Sequence, residues 1–351
     1  MSRVWIDALT PKQVLFFAPL AEELRASGCE VLATSRNYRE VKPMARMQKM
    51  DLLFVGERGG SGKPEQLAAA TRRQVEITPK IRKFAPQVSV SVASSVCARV
   101  SFGLGIKHIA VNDSPHSEVA GRLSLPLTHH LFCPWVIPYG AWAKFGVPRS
   151  KITRYHALDP AAWLKRRPRR GPVPRLRRRR KTVVIRLEES YAPYMAGKRK
   201  SWNDAVLSSL SESIEGANLV ALCRYGDQLR RTKARFGREF IVPEDVVDGR
   251  SLLEVTDVFV GLGGTMTAES ALMGVPTISA FQGSLFTEDY LESAGLLQRA
   301  RNPVRVAKLA ETLLKEDKRE GHSARAKRVL DSMEDPIPKI AGYVISSTKQ
   351  A

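Results

Sequence analysis

The chain has 351 residues, of which 43% are hydrophobic and 7% aromatic, a composition typical of a globular protein with a sizeable core. No apolar run approaches the ~18 residues of a membrane span, and no signal peptide is recognisable. The four cysteines lack CxxC spacing, which argues against a zinc site or a disulfide framework. These features predict a cytoplasmic protein of two ordinary-sized domains.

The first half alternates short strands and helices, the pattern of a parallel sheet with helices on both faces. A helix over 13–26 carries Val14, Phe17, Leu20 and Leu24 on one face, and another helix spans 65–84. Strands are predicted at 4–7, 30–34, 52–56, 88–92, 108–112 and 131–133, of which 131–133 is the last.

The second half repeats this alternation. Strands are predicted at 182–186, 218–223, 240–242 and 258–260, and helices at 202–213, 228–236, 250–255, 307–315, 323–333 and 337–347. The fold class is therefore α/β, with two Rossmann-like, doubly wound domains facing a cleft. They occupy 1–160 and 182–335, with a linker at 161–181 and a helical tail at 336–351. Ligands of such sheets bind beyond the carboxyl ends of the strands.

The formal net charge is +21, and residues 165–181 alone contain 11 basic side chains and no acidic one. Prolines and a glycine among these arginines exclude a regular helix or a buried strand, so the segment is an exposed loop. It could attract anionic lipid headgroups or nucleic-acid phosphates, or it could be a solvated linker without a partner. The lack of aromatic residues in the run argues against base stacking.

Residues 255–281, VTDVFVGLGGTMTAESALMGVPTISAF, are the most informative segment. A strand is followed by Gly261, Gly263 and Gly264 and then by a helix from about Thr265 to 273. Gly274, Pro276 and a second apolar strand come next. Glycines there leave free N–H groups at the positive end of the helix, which favours a diphosphate. Glu269 lies one turn beyond Thr265 and could accept hydrogen bonds from ribose or sugar hydroxyls. The alternative is an ordinary strand–turn–helix whose glycines only permit tight packing.

Asp113 and His116 lie where the strand at 108–112 ends and a helix begins. A carboxylate and an imidazole three residues apart could act as a general base and its orienting group. Alternatively, Asp113 only caps the next helix. Asp7, at the end of the first strand, has the same two interpretations.

Two arginines, Arg186 and Arg224, also follow strands and would suit a diphosphate, because guanidinium groups match phosphate oxygens. Glu188 and Glu189 could instead neutralise them in structural ion pairs. Histidine and cysteine spacing predicts no metal site.

The stretch GLGGTMTAESALMGVPTI resembles the donor-binding signature of lipid-linked N-acetylglucosaminyltransferases. These enzymes belong to the GT-B superfamily of nucleotide-sugar glycosyltransferases, which includes the hydrolysing UDP-N-acetylglucosamine 2-epimerases. The resemblance implies that Gly263, Gly264 and Thr265 contact the phosphates and that Glu269 holds the ribose. The backbone near 241–243 would meet the base.

A closer resemblance, over nearly the whole chain, is to an uncharacterised archaeal and bacterial family of GT-B-like proteins, a domain of unknown function. VWIDALTPKQVLFF, FVGERGG, NDSPHSEVAGRL and IRLEESYAPY carry it, together with the glycine motif. Members of that family often have histidines where Gln13 and Arg58 stand here, so this chain lacks any chemistry those histidines supply.

Together these features predict a glycosyltransferase that uses a UDP-sugar-like nucleotide sugar as donor and an unknown, lipid-linked or other acceptor. Neither a metal nor another cofactor is required if the helix dipole and the arginines stabilise the leaving diphosphate. One alternative is nucleotide-sugar 2-epimerisation or hydrolysis, for which Asp7, Asp113 and Glu118 would supply carboxylates. Another is a non-enzymatic binder of nucleic acid or anionic membrane through 165–181. A cytoplasmic protein, peripheral at a membrane if the arginines bind lipid, is the expected location.

Overall fold

The computed structural model describes residues 1–60, 62–188, 200–316 and 319–349, and Glu189 lies outside them. The chain divides into two compact units, one formed by Met1–Arg169 with Glu334–Ala351 and the other by Arg170–Met333. The sequence placed the boundaries at 160 and 182 and separated the last residues as a tail.

The first unit contains a seven-stranded sheet. Its strands are β1 (Arg3–Asp7), β2 (Glu30–Asn37), β3 (Leu53–Glu57), β4 (Val88–Ser91), β5 (Lys107–Val111), β6 (His130–Pro134) and β7 (Ile152–Tyr155). They are parallel and lie in the order β3-β2-β1-β4-β5-β6-β7. The helices are α1 (Pro11–Ala26), α2 (Val41–Met47), α3 (Lys63–Phe84), α4 (Ser95–Gly103), α5 (Glu118–Ser124), α6 (Gly140–Ala143) and α7 (Ala161–Leu164).

The second unit contains a six-stranded parallel sheet in the order β10-β9-β8-β11-β12-β13. Its strands are β8 (Thr182–Arg186), β9 (Asn218–Leu222), β10 (Phe240–Ile241), β11 (Val258–Gly261), β12 (Thr277–Ser279) and β13 (Leu297–Arg299). The helices are α8 (Lys200–Ser213), α9 (Gly226–Phe236), α10 (Gly249–Glu254), α11 (Thr265–Leu272), α12 (Phe286–Ser293), α13 (Pro303–Lys315) and α14 (Arg319–Ser332). The predicted α/β class with two doubly wound sheets is confirmed.

Helix α15 (Pro336–Lys349) returns to the first unit, where it packs against α1. Its Tyr343 ring stacks on His130 of β6 with ring centroids 4.2 Å apart. Ile340 and Val344 are fully buried. These contacts explain why the last residues belong to the first unit rather than forming a separate tail.

Helix α1 shows how the local sequence sets an element. Thr10 accepts a hydrogen bond from the Gln13 N–H, and Pro11 occupies the first turn, so the helix begins there. The four residues of the predicted apolar face, Val14, Phe17, Leu20 and Leu24, are all fully buried.

The prediction that 131–133 is the last strand of the first sheet is wrong, because β7 follows it and pairs with β6. Of its four residues only Ile152 and Tyr155 are buried. So short an edge strand gives too little alternation to be recognised in the sequence.

Candidate functional site

The chain direction across the second sheet reverses between β8 and β11. From β8 the chain adds β9 and β10 on one side, and it then crosses to add β11, β12 and β13 on the other. Arg186, the last residue of β8, pairs in register with Gly261, the last residue of β11. In doubly wound sheets, ligands bind at this reversal, outside the carboxyl ends of the strands.

The glycine loop, residues 261–264, fills that position. Gly263 and Gly264 have φ of 101° and 96°, backbone conformations that side chains rarely adopt. Gly264 is the residue that caps α11, so no capping side chain covers the N–H groups of the first turn. Because Gly264 is exposed and its neighbours Gly263 and Thr265 are half-buried, this positive helix end is accessible to an anion.

Glu269 lies one turn further along α11 and is 5% exposed. A Cβ added at Gly249, the first residue of α10, would be 3.9 Å from Glu269 Oε2. The carboxylate therefore lies beside the start of α10, close to the accessible loop but shielded from bulk water. A carboxylate held in this way suits hydrogen bonds from ligand hydroxyl groups.

The two predicted arginines follow neighbouring strands, β8 and β9, and both are half-buried. Arg186 donates from Nη1 to the Cys223 carbonyl at 3.4 Å, and within the described part of the chain it forms no ion pair. The main-chain N–H of Arg224 donates to Gln228 Oε1 at 2.8 Å. Arg186 therefore keeps most of its guanidinium donors for another acceptor.

In the first unit, Asp113 belongs to a buried charged cluster. The Lys12 ammonium lies 2.5 Å from Asp113 Oδ2 and 2.8 Å from Asp159 Oδ2. Tyr155 donates to Asp159 Oδ1 at 2.6 Å, and Ser114 donates to Asp113 Oδ1 at 2.7 Å. One lysine thus bridges two carboxylates that follow β5 and β7, at the carboxyl edge of the first sheet.

The pKa values of the two carboxylates are shifted in opposite directions. Burial alone raises the pKa of Asp113, but the Lys12 charge and hydrogen bonds from Lys12 and Ser114 hold it below its ordinary value. Burial and the neighbouring Asp113 charge raise the pKa of Asp159. Because one ammonium faces two carboxylates, Asp113 is the one that stays ionised most readily.

His116 is half-buried and lies within electrostatic reach of Asp113. Burial lowers its pKa below the ordinary 6.5, and the Asp113 carboxylate only partly opposes this effect. The imidazole is therefore neutral near pH 7, which is the form that can accept a proton from a hydroxyl group.

Asp7 has a different environment. It is fully buried, and its two carboxylate oxygens accept hydrogen bonds from Arg73, at 2.6 and 3.1 Å, and from Thr34 and Ser94, each at 2.7 Å. The sequence left Asp7 open as a catalytic or capping residue, whereas the structure uses it in a buried ion pair.

Sequence reasoning missed three members of the charged cluster, namely Lys12, Asp159 and Tyr155. Two of them belong to or follow β7, which was itself missed. Lys12 follows Pro11 in the first turn of α1, and a basic residue there carries no motif. No group of His, Cys, Asp and Glu within the described ranges could hold a metal ion.

The match of residues 2–346 to one family decides the classification. The chain belongs to the family described as Protein of unknown function (DUF354). An uncharacterised relative from Methanocaldococcus jannaschii is 27% identical over 303 residues, which cover 82% of this chain and 84% of the relative. The expected membership in an uncharacterised GT-B-like family is confirmed.

Solved structures show the same fold. The UDP-GlcNAc 2-epimerase of Neisseria meningitidis, bound to UDP-GlcNAc, superposes with a TM-score of 0.70, 11% identity and coverage of 100% of both chains. The glycosyltransferase SnogD of Streptomyces nogalater gives 0.61 and 17%, with 99% of both chains covered. The DUF354 chain therefore has a GT-B-like fold, as expected. No helix within the described ranges is long and apolar enough to cross a membrane.

Proposed function

We propose that this DUF354 protein is a glycosyltransferase that transfers a sugar from a nucleotide diphosphate to an acceptor hydroxyl. The observation that carries the proposal is the glycine loop at the chain reversal of the second sheet, in register with Arg186. It combines accessible N–H groups, a positive helix end and a guanidinium group at one sheet edge. A diphosphate matches these three features.

The donor would bind through residues of the second unit. The N–H groups at Gly263, Gly264 and Thr265 would meet the phosphates, with Arg186 and Arg224 as guanidinium donors. Glu269 would accept hydrogen bonds from the ribose, and the backbone at 241–243 would meet the base. A nucleobase of the uracil type is supported by the UDP-GlcNAc bound to the Neisseria meningitidis epimerase of the same fold.

The base would come from the first unit, from Asp113 or His116. In the transfer, the acceptor oxygen bonds to the anomeric carbon while the bond from that carbon to the diphosphate oxygen breaks. The acceptor proton passes to the imidazole of His116, whose neutral form is favoured by burial. The charge that develops on the leaving diphosphate would be stabilised by the α11 N-terminus and the arginines.

The second candidate is 2-epimerisation or hydrolysis of a nucleotide sugar. Asp113 and Asp159, bridged by Lys12, favour it, because they give the first unit two neighbouring carboxylates whose pKa values are shifted in opposite directions. Such a pair could remove and return a proton on the sugar.

The donor site is tested by calorimetry and thermal shift with UDP, GDP, ADP and TDP and their common sugars. We expect saturable binding of one nucleotide by the wild type, and its loss in Glu269→Ala. Glu254→Ala, on the neighbouring helix α10, is the control and should bind like the wild type. Unchanged binding and turnover in Glu269→Ala would contradict the proposal.

The two reactions are separated by product analysis. The nucleotide sugar selected by binding is incubated with the protein without any acceptor and followed by NMR. Transfer predicts no C2 epimer under these conditions, whereas a C2 epimer would establish the second candidate in its place.

A further inference from the structure

Residues 170–181, the part of the arginine-rich segment that lies in the second unit, are held against that unit at both ends. The Gly171 N–H donates to Asp248 Oδ2 at 3.2 Å, and the Asp248 N–H donates to the Pro172 carbonyl at 2.8 Å. At the other end, the Lys181 ammonium donates to the Leu314 carbonyl of α13 at 2.6 Å. Leu176 packs against the buried cluster beneath β8 and β9. These residues are therefore packed and hydrogen-bonded as part of the second unit.

A tight turn lies inside this segment, which we name the arginine turn (residues 177–180). Asn218, the first residue of β9, accepts from the Arg177 N–H at 2.9 Å and donates to the carbonyls of Arg177 and Arg180, at 3.1 and 3.4 Å. Arg179 has φ of 62°, in the left-handed region that arginine seldom occupies. All these bonds use the main chain, so the four side chains project from a fixed backbone.

The arginine turn has no acidic partner among the residues that the structure describes. Further upstream, Arg166, Arg169 and Arg170 form ion pairs with Asp335, Glu22 and Glu254. By contrast, all four guanidinium groups of the arginine turn are exposed and form no ion pair or side-chain hydrogen bond with any described residue. The fold neutralises one half of the basic segment and presents the other half to solvent.

We propose that the arginine turn binds anionic lipid headgroups at a membrane surface. Closely spaced guanidinium groups match lipid phosphates, and each basic residue near an anionic surface adds to the attraction. Val173 lies on the same segment between Pro172 and Pro174 and is 43% exposed, an apolar residue that can enter the headgroup region. The turn contains no aromatic residue for base stacking and no helix to enter a groove, which disfavours nucleic acid.

The test uses the full chain and co-sedimentation with vesicles of phosphatidylcholine, either pure or with about 30% phosphatidylserine. We expect binding only to the anionic vesicles, lost when salt is raised from about 0.15 to about 0.5 M. The variant Arg177→Gln, Arg178→Gln, Arg179→Gln, Arg180→Gln should bind up to about 10³-fold more weakly. If this variant does not fold, Arg178→Gln with Arg180→Gln, which keeps the strained position unchanged, should bind up to about 30-fold more weakly.

The matched control removes four positive charges elsewhere. Arg72→Gln, Lys80→Gln, Arg82→Gln and Lys83→Gln change exposed residues of α3, and this variant should bind vesicles like the wild type. An equal loss in the control would show that only net charge matters and would overturn the proposal. It would also be overturned if wild type ignored anionic vesicles, or if single-stranded RNA were the only polyanion that bound through the turn.

Discussion

The two sheets arrange their strands alike around the first strand, yet the residues at the two chain reversals are opposite in chemistry. Asp7 ends β1 and pairs in register with Ser91 of β4, just as Arg186 ends β8 and pairs with Gly261 of β11. Asp7 is fully buried and accepts four hydrogen bonds. Arg186 is half-buried beside the glycine loop, and among the described residues its side chain donates one hydrogen bond, of 3.4 Å.

Strand order and side chains therefore contribute separately to a binding site. The strand order opens a crevice at the same place in both sheets. In the first unit, the Asp7–Arg73 ion pair fills it, and the charged groups available for chemistry are displaced towards β5 and β7. In the second unit, glycines and the Arg186 guanidinium, which forms no ion pair with a described residue, leave this position open for an anion.

The largest effect is expected where the first crevice is closed. Asp7→Asn leaves the buried Arg73 guanidinium without its carboxylate, which should lower the free energy of unfolding by about 3–5 kcal/mol. Urea unfolding measures this change. Glu118→Gln, which breaks the exposed pair with Arg122, should be indistinguishable from wild type. If Asp7→Asn were as stable as the wild type, the Asp7–Arg73 ion pair would not be the structural element that distinguishes the first crevice from the second.

The second prediction concerns His116 as the general base in the first unit. His116→Asn should reduce kcat/KM for the nucleotide sugar about 10²–10⁴-fold, because the base is lost. The wild-type kcat/KM should fall as the pH decreases through the pKa of His116, which burial holds below 6.5, and should level off at higher pH, since only the neutral imidazole accepts a proton. The residual activity of the variant should not show this fall at low pH. The same fall in the variant would mean that another residue is the general base.

A third prediction concerns His108 in the core of the first unit, where Ser89 lies 2.8 Å from its Nδ1. Burial lowers the pKa of His108 from 6.5 to about 4. Because the unfolded state binds the proton more readily, this contribution to stability is complete above pH 6.5 and is lost as the pH falls towards 4. Its size is about 3 kcal/mol, from the pKa difference.

Unfolding titrations of wild type and His108→Gln at about pH 7 and about pH 4 measure that loss. The free energy of unfolding of the wild type should fall more between these two pH values than that of the variant. Parallel pH dependence in the two proteins would show that His108 does not contribute.

The smallest effect is expected at Arg186, at the chain reversal of the second sheet. Arg186→Met should weaken nucleotide-diphosphate binding about tenfold, through the loss of a charge-assisted hydrogen bond. Its melting temperature should stay near that of wild type, because the one side-chain hydrogen bond of Arg186 to a described residue is long, at 3.4 Å. Arg73→Met is the counterpart, and it should destabilise the fold. Thermal melts and calorimetry distinguish a binding role of Arg186 from a structural one. A strongly destabilised Arg186→Met variant would show that this arginine is structural.

The sequence predicted the fold class because apolar periodicity and glycines at the ends of strands and helices are local signals. The apolar face of α1 and the strand–glycine–helix segment at β11 are examples. Several elements went unpredicted. Among them, helix α12 and strands β7 and β13 are short and have one or two buried residues each, so they carry little periodicity.

Contacts between distant residues were equally inaccessible. Asp7 and Arg73 are 66 residues apart, and nothing in either segment indicates the pairing. The charged cluster likewise depends on Lys12 and Asp159 meeting across the sheet edge, which only the strand order determines. By contrast, Gly263, Gly264 and Glu269 belong to one local motif and were predicted together, and their roles in binding remain a prediction.

The most direct test of the open crevice compares two glycines by calorimetry with the nucleotide diphosphate chosen from the panel. Gly264 and Gly216 both have positive φ, 96° and 74°, and a Cβ would meet nothing within 4 Å at either. Gly264→Ala and Gly216→Ala therefore each place a side chain on a residue with positive φ and without a steric clash, but only the first lies in the glycine loop. We predict that Gly264→Ala weakens binding at least about tenfold while Gly216→Ala binds like the wild type. Equal affinities in the two variants would contradict a diphosphate site at the N-terminus of α11.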